Sequence, residues 1–235
     1  LSLDEFSRHK GHRDLLTTVV DLEQARLIEV VNSHRQKDVI AALQVFPAEV
    51  RATVKEVCID MWGGFTQMIE VLFPNARITY DRFHVMHHVN EELNQLRHQM
   101  HVKFEGLPHL LWKNRQDLTD EQRQQLDEGL KNHPCLEIAY ELKEDLRQIY
   151  QRCHTVQGAE RQLQRWIRIA GQLYQKSAQM IEQHLSGICN YFEHRTTSGV
   201  TEGINTKIKL IKRQGYGFNN FEHFRLRLLA CFDAS

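Results

Sequence analysis

Three acids stand where a protein core does not usually place them. Asp4 ends a short strand-like segment begun by Leu1 and Leu3, Asp60 follows the apolar run Val57-Cys58-Ile59, and Glu202 opens a late helix. If the first strand lies beside the one ending at Ile59, Asp4 and Asp60 project from adjacent edges. A helix packed on that sheet then brings Glu202 to the same spot. Two carboxylates about 4 Å apart repel by about 4 kcal/mol at an effective dielectric of 20, so such a cluster keeps a proton or takes a cation. Oxygen donors without Cys or His favour Mg²⁺ or Mn²⁺, and such sites often hold two ions that assist in-line phosphoryl displacement. Each acid alone also reads as a turn or N-cap residue, and Glu202 as a residue complementing a helix N-terminus. The topology, not the acids singly, points to metal chemistry.

The elements that must position these acids alternate along residues 1–82. Leu1 and Leu3 open a strand, and Lys10-Gly11-His12 supplies a turn. Leu15 to Val20 and Arg26 to Val31 are closely spaced β-branched runs and predict an antiparallel hairpin. Val39, Ile40, Leu43 and Phe46 fall at helical spacing before Pro47, and Phe65, Met68, Ile69, Leu72 and Phe73 repeat it. Arg77 to Tyr80 is a last strand, ending at Asp81. The order implies an α/β chain, a mixed five-stranded sheet with helices packed on it.

From Val85 to about His194 the strand pattern is gone. Thr119 with Gln122 predicts a capping box opening a helix to about Asn132. Further amphipathic helices are expected around Leu136 to Tyr150, Leu163 to Leu173 and Ile181 to Phe192, with Trp112 and Trp166 in their cores. His87 and His88 read as helix-surface residues. Ile204, Ile208 and Ile211 then share one face of a basic helix bearing Lys207, Lys209, Lys212 and Arg213, and Phe221, Phe224, Leu228 and Leu229 mark a closing helix. Three blocks result: residues 1–84 and 195–235 as the two parts of the sheet-bearing core, and 85–194 as a large all-helical insertion before the last acid.

The 235 residues carry 30 Lys+Arg against 30 Asp+Glu, so bulk charge gives no sign of a polyanion binder. Fourteen His turn that balance positive as pH falls toward about 6. The five cysteines form no C-x-x-C pair and fit a reducing, cytoplasmic compartment. No apolar run approaches the roughly 18 residues that span a bilayer. The start, Leu1-Ser2-Leu3-Asp4-Glu5, has neither initiator Met nor basic n-region and opens directly on a strand, as expected of a segment cut at a domain boundary.

Several strings together resemble the ISL3-type family of insertion-sequence transposases. They are Leu3-Asp4-Glu5-Phe6 with Lys10-Gly11-His12, Val57 to Trp62, Phe73-Pro74-Asn75-Ala76, Asp81-Arg82-Phe83-His84-Val85, and Thr201 to Lys209 continuing through Gly215-Tyr216-Gly217-Phe218. The resemblance implies an RNase H-like DDE domain with Asp4, Asp60 and Glu202 as the metal-binding triad and Mg²⁺ or Mn²⁺, two ions, as cofactor. It implies DNA strand cleavage releasing a 3′-OH, which then attacks target DNA, so the partners are double-stranded DNA and further copies of the chain on that DNA. Asp81 and His84 resemble the D-x-x-H element near such sites, and a structural His in a strand-to-helix turn is an equal reading. Lys207, Lys209, Lys212 and Arg213 are expected at phosphates beside the scissile bond, or as a solvated helix face. Tyr216 is expected to stack on a base or to pack. Full-length members usually carry an N-terminal zinc-binding and helix-turn-helix region that nothing here matches. A non-catalytic DNA-binding or assembly fragment, and another RNase H-like nuclease such as an RNA–DNA hybrid hydrolase, remain as alternatives.

Overall fold

A computed structural model describes residues 1–7, 15–61, 65–103 and 106–233, and the turn expected at Lys10-Gly11-His12 lies outside them. The chain divides into two compact units, Leu1–Asp81 with Thr196–Ser235, and Arg82–Arg195.

The first unit is built on one five-stranded mixed sheet. Its strands are β1 (Ser2–Ser7), β2 (Leu15–Asp21), β3 (Arg26–Val31), β4 (Glu56–Ile59) and β5 (Arg77–Tyr80), in the order β3-β2-β1-β4-β5. β1–β2 and β2–β3 are antiparallel, β1–β4 and β4–β5 parallel. The β2–β3 turn is made by Asp21, whose carboxylate accepts from the backbone N–H groups of Glu23 (2.9 Å) and Gln24 (3.1 Å), an Asx-type turn. Between strands lie α1 (Gln36–Leu43), the short α2 (Ala48–Ala52) and α3 (Phe65–Leu72). α1 buries Val39 and Leu43 and packs on β3 and α3.

Period-2 alternation puts Asp4 and Phe6 on one face of β1 and Leu3 on the other. The face of Phe6, Leu16, Val20, Leu27 and Val30 is covered by Ile204, Ile208, Ile211, Phe224, Leu228 and Phe232 from the last two helices of the chain. Each such side chain removed from water contributes roughly 1.5–3 kcal/mol. Arg225 locks the closing helix to β3 through a two-pronged ion pair with the Glu29 carboxylate.

The second unit is helical: α4 (Arg82–Gln99), α5 (Leu107–Trp112), α6 (Asp120–Leu130), α7 (Pro134–Arg152), α8 (Val156–Ala170), α9 (Gln175–Gln183) and α10 (Leu185–His194). The capping box at Thr119 is formed, Thr119 Oγ1 accepting from Gln122 N (3.2 Å) and Gln122 Oε1 from Thr119 N (3.3 Å). The single helix expected over Ile181 to Phe192 is two, broken at His184 (φ −110°, ψ 16°). Trp166 is buried, its indole N–H donating to Leu142 O at 2.7 Å. Trp112 is not the core residue expected. It is 42% exposed at the end of α5, edge-on to His87, because the short α5 turns Leu107, Leu110 and Leu111 inward instead.

The polar interior of this unit is unusual. Lys143, Glu144 and Arg147 are all buried on α7. The Lys143 ammonium donates to the carbonyls of Leu111 (3.0 Å) and Lys113 (2.8 Å) and pairs with Glu144 (3.0 Å), whose other oxygen pairs with Arg147 (2.9 Å). The cluster ties the segment after α5 to α7 with charged groups in place of apolar ones.

Candidate active site

β1 and β4 run parallel with Ser2 opposite Cys58 and Leu3 opposite Ile59, so the next pair in register is Asp4 and Asp60. Asp4 thus lies one position past the last residue of β1 paired with β4, and Asp60 one position past the last paired residue of its neighbour β4. Asp60 is half-buried just past the end of β4, where the chain leaves the ladder. Asp4 is half-buried, with Oδ1 accepting from Glu5 N (2.8 Å) and Oδ2 from Asn205 Nδ2 (2.7 Å). Thr18, cross-strand from Asp4, donates to the Asp4 carbonyl at 3.2 Å and reaches Asn205 Oδ1 at 3.5 Å.

Asn205 belongs to α11 (Gly199–Gln214), the helix that also carries Glu202. Its buried face comprises Thr201, Ile204, Asn205, Ile208 and Ile211. Glu202 follows Thr201 by one residue, about 100° round the helix, and stands exposed. The isoleucines claim the sheet, so helical phase holds Glu202 off that face. Among the described residues no three His, Cys, Asp or Glu side chains form a metal-holding group. The structure thus puts Asp4 and Asp60 at neighbouring register positions of the central strands β1 and β4 and places Glu202 one turn before the residue that grips Asp4, without gathering all three.

Asp81 directly follows β5 and is buried. Its Oδ2 accepts from the backbone N–H (3.2 Å) and hydroxyl of Ser198, the residue preceding α11. Nearby, Glu56 accepts from Thr196 Oγ1 at 2.9 Å and from Thr79 Oγ1. Asp81 and Glu56 together fix the segment leading into α11. Between them Cys58 is fully buried, and burial first, then the Asp81 and Glu56 charges, push its thiol pKa far up. His84 belongs to the second unit, on the first turn of α4, with its ring edge-on to Phe83 at 5.6 Å.

The four basic residues of α11 differ from one another. Lys207 donates to the Cys231 carbonyl of α12 (Phe221–Asp233) at 3.3 Å and lies 4.4 Å from the Phe232 ring centroid. Lys209 lies 5.9 Å from the Phe6 ring centroid. Lys212 and Arg213 occupy the last turn, where cations complement the helix dipole. Tyr216 is fully exposed at φ 52°, so it packs on nothing among the described residues.

Asn205, Ser198 and Thr18 escape a reading of the sequence alone. Asn205 has a signal: it is the one strongly polar position on an otherwise apolar helical stripe, three residues after Glu202. Ser198 and Thr18 have none, because the side chains they reach, those of Asp81 and Asn205, are 117 and 187 residues away.

The model of the ISL3 DDE family, described as a transposase, matches residues 1–228. The chain belongs to the ISL3 transposase family. Among relatives of this ISL3 member, the transposase for insertion sequence element IS1001 of Bordetella parapertussis is 31% identical over 249 residues, covering 99% of this chain and 60% of that protein. The transposase for IS1557 of Mycobacterium tuberculosis is 27% identical over 257 residues, covering 94% and 57%. A Lactococcus lactis protein named ATP-dependent protease is 29% identical over 104 residues, covering 44% and 33%. The chain spans about three fifths of the length of the transposases it matches. No solved structure matches this ISL3 transposase chain. No helix among its described residues is long and apolar enough to cross a membrane.

Proposed function

We propose that this chain is the catalytic part of an insertion-sequence transposase, a DDE enzyme that cleaves and transfers DNA strands with divalent metal on an RNase H-like fold. The observation that carries this is the parallel pairing of β1 with β4, which makes Asp4 and Asp60 the next positions after Leu3 and Ile59, with the Glu202-bearing helix docked on Asp4 itself.

The donor chemistry fits Mg²⁺ or Mn²⁺, since the candidates are hard carboxylate oxygens with no thiol or imidazole among them. A pair of such ions would supply Lewis-acid activation of the phosphoryl group and of water. Each carboxylate oxygen of Asp4 carries two lone pairs, so accepting from Glu5 N or Asn205 Nδ2 does not bar it from a cation. Asn205 and Thr18 hold its position, and Asp60 supplies the neighbouring oxygens. Glu202 is the third ligand in this reading. Asp81 supports the site by anchoring the start of α11, and His84 is assigned to DNA positioning. Lys212 and Arg213, with Lys207 and Lys209 on the same helix, would meet phosphates. Double-stranded DNA, bound by more than one copy of the chain, is the partner.

The test is nicking of supercoiled plasmid with Mg²⁺ or Mn²⁺ by the wild-type chain and by Asp60→Asn. Loss of metal-dependent nicking in the variant supports the reading, and nicking retained by Asp60→Asn overturns it. A second reading, a DNA-binding or assembly fragment without chemistry, draws on one observation, the absence of a converged carboxylate trio among the described residues. Wild-type chain that binds DNA but never nicks it under either metal would favour that alternative.

A further inference from the structure

Within the helical unit, α7 and α8 run side by side and enclose a groove of about 350 Å³. Its floor is Leu142, Ile149 and the ring of Trp166, and its rim carries Arg152 from α7 and Arg165 from α8. Arg161 and Arg168 stand four residues before and three after Arg165, so the three guanidinium groups of α8 lie within about 60° of arc and about 10 Å of axial rise. All four of these arginines are exposed.

Their neighbours in the unit behave differently. Of the ten arginines from Arg82 to Arg195, six are engaged by the unit itself. Arg82 lies over the Tyr150 ring, and Arg97 and Arg195 bond backbone carbonyls. Arg115, Arg123 and Arg147 pair with carboxylates. Arg152, Arg161, Arg165 and Arg168 have no hydrogen bond or ion pair among the described residues. The one acid lining the groove among those residues is Asp145, and Glu160 does not line it, its charge adding to the burial that raises the Cys189 thiol pKa. Three arginines on one exposed arc of α8 are not balanced by that helix's single acid, Glu160, which stands about 110° round the helix from the centre of the arc. Unpaired guanidinium groups carried on rigid helices match a phosphate backbone, whose oxygens take their forked donors and whose counterions are released on binding.

We propose that the α7–α8 face of the helical unit is a DNA-backbone-binding surface, with Arg152, Arg161, Arg165 and Arg168 touching phosphates. It gives the helical unit a task separate from that of the sheet-borne acids, gripping duplex DNA in a sequence-independent manner. The inference rests on the reading that this chain handles DNA.

The experiment measures binding of a fluorescein-labelled duplex of random sequence by anisotropy across a NaCl series. It compares wild type, Arg161→Gln/Arg165→Gln/Arg168→Gln, and Arg35→Gln/Lys37→Gln as an equal-kind charge control at α1, with circular dichroism to show that each is folded. The triple variant is expected to bind at least tenfold more weakly at low salt. Its slope of log K against log [NaCl] should be shallower by about 2–3, close to 0.9 for each phosphate that is no longer neutralised. The control should keep the wild-type slope. A folded triple variant with the wild-type slope overturns this inference and leaves the catalytic reading standing, since nicking is scored separately. Wild type that binds no duplex even at low salt overturns both. Wild type displaced from DNA by polyglutamate far more readily than by unlabelled duplex would assign the face to an acidic protein and also overturn it.

Discussion

Asn205 donates a hydrogen bond from Nδ2 to Oδ2 of Asp4 at 2.7 Å, joining residues 201 positions apart. The bond links the sheet to α11 through a candidate metal ligand, and it makes helix docking and carboxylate orientation a single event. A side chain that orients a ligand from behind typically affects metal affinity as well as stability.

Asn205→Ala is therefore expected to lower Mn²⁺ affinity about 10–100-fold. Loss of the charge-assisted bond should also cost about 1.5–3 kcal/mol of stability. Calorimetric Mn²⁺ titration and urea unfolding read the two effects separately. A variant with wild-type Mn²⁺ affinity would reduce Asn205 to a docking residue alone.

Ser198→Ala removes the hydroxyl that donates to the buried Asp81 carboxylate at the entry to α11. A hydrogen bond to a charged group contributes about 1.5–3 kcal/mol. The expected result is a lower urea midpoint with unchanged m-value, because the surface exposed on unfolding stays the same. An unshifted midpoint would mean that Asp81 finds another donor.

Lys143 gives a pH-dependent prediction. Burial lowers its pKa to about 8 from an ordinary 10.5, partly offset by Glu144. Between those two values the unfolded chain holds the proton that the folded chain has shed, so this site's contribution to stability rises with pH. Below about 8 the penalty is fully present and constant. Relative to Lys143→Met, the wild type should gain on the order of 1–3 kcal/mol on going from about pH 7.5 to about pH 10. Urea unfolding of both proteins at each pH measures the difference, and a difference flat with pH would contradict the assignment.

Much of the architecture is legible from pattern alone. The β2–β3 hairpin, the α3 stripe of Phe65, Met68, Ile69 and Leu72, the Thr119 capping box and the buried Ile204, Ile208 and Ile211 all depend on neighbours within a few residues. Short-range periodicity decides such features. Where pattern misleads, the cause is tertiary. Trp112 has a core-type side chain, yet α5 is too short to bury four large apolar groups at once. The break at His184 interrupts a continuous apolar stripe that carries no Pro or Gly at that point. Lys143 and Glu144 sit at interior positions of α7 that no sequence pattern marks, because the Lys143 partners include carbonyls at and after the end of α5.

The sequence by itself determined the mixed α/β element order, the oxygen-only chemistry of its acids and, through its strings of family-like residues, membership of the ISL3 transposases. It could not determine which acid meets which partner. That was decided by the parallel pairing of β1 with β4, which makes Asp4 and Asp60 the next positions after Leu3 and Ile59, and by the phase of α11. The three isoleucines of that helix bury against the sheet, which turns Asn205 onto Asp4 and leaves Glu202 at the exposed side. Hydrophobic burial is non-directional and far larger in sum than any one polar interaction, so it fixes the helix's rotation and the polar residues take the positions that remain.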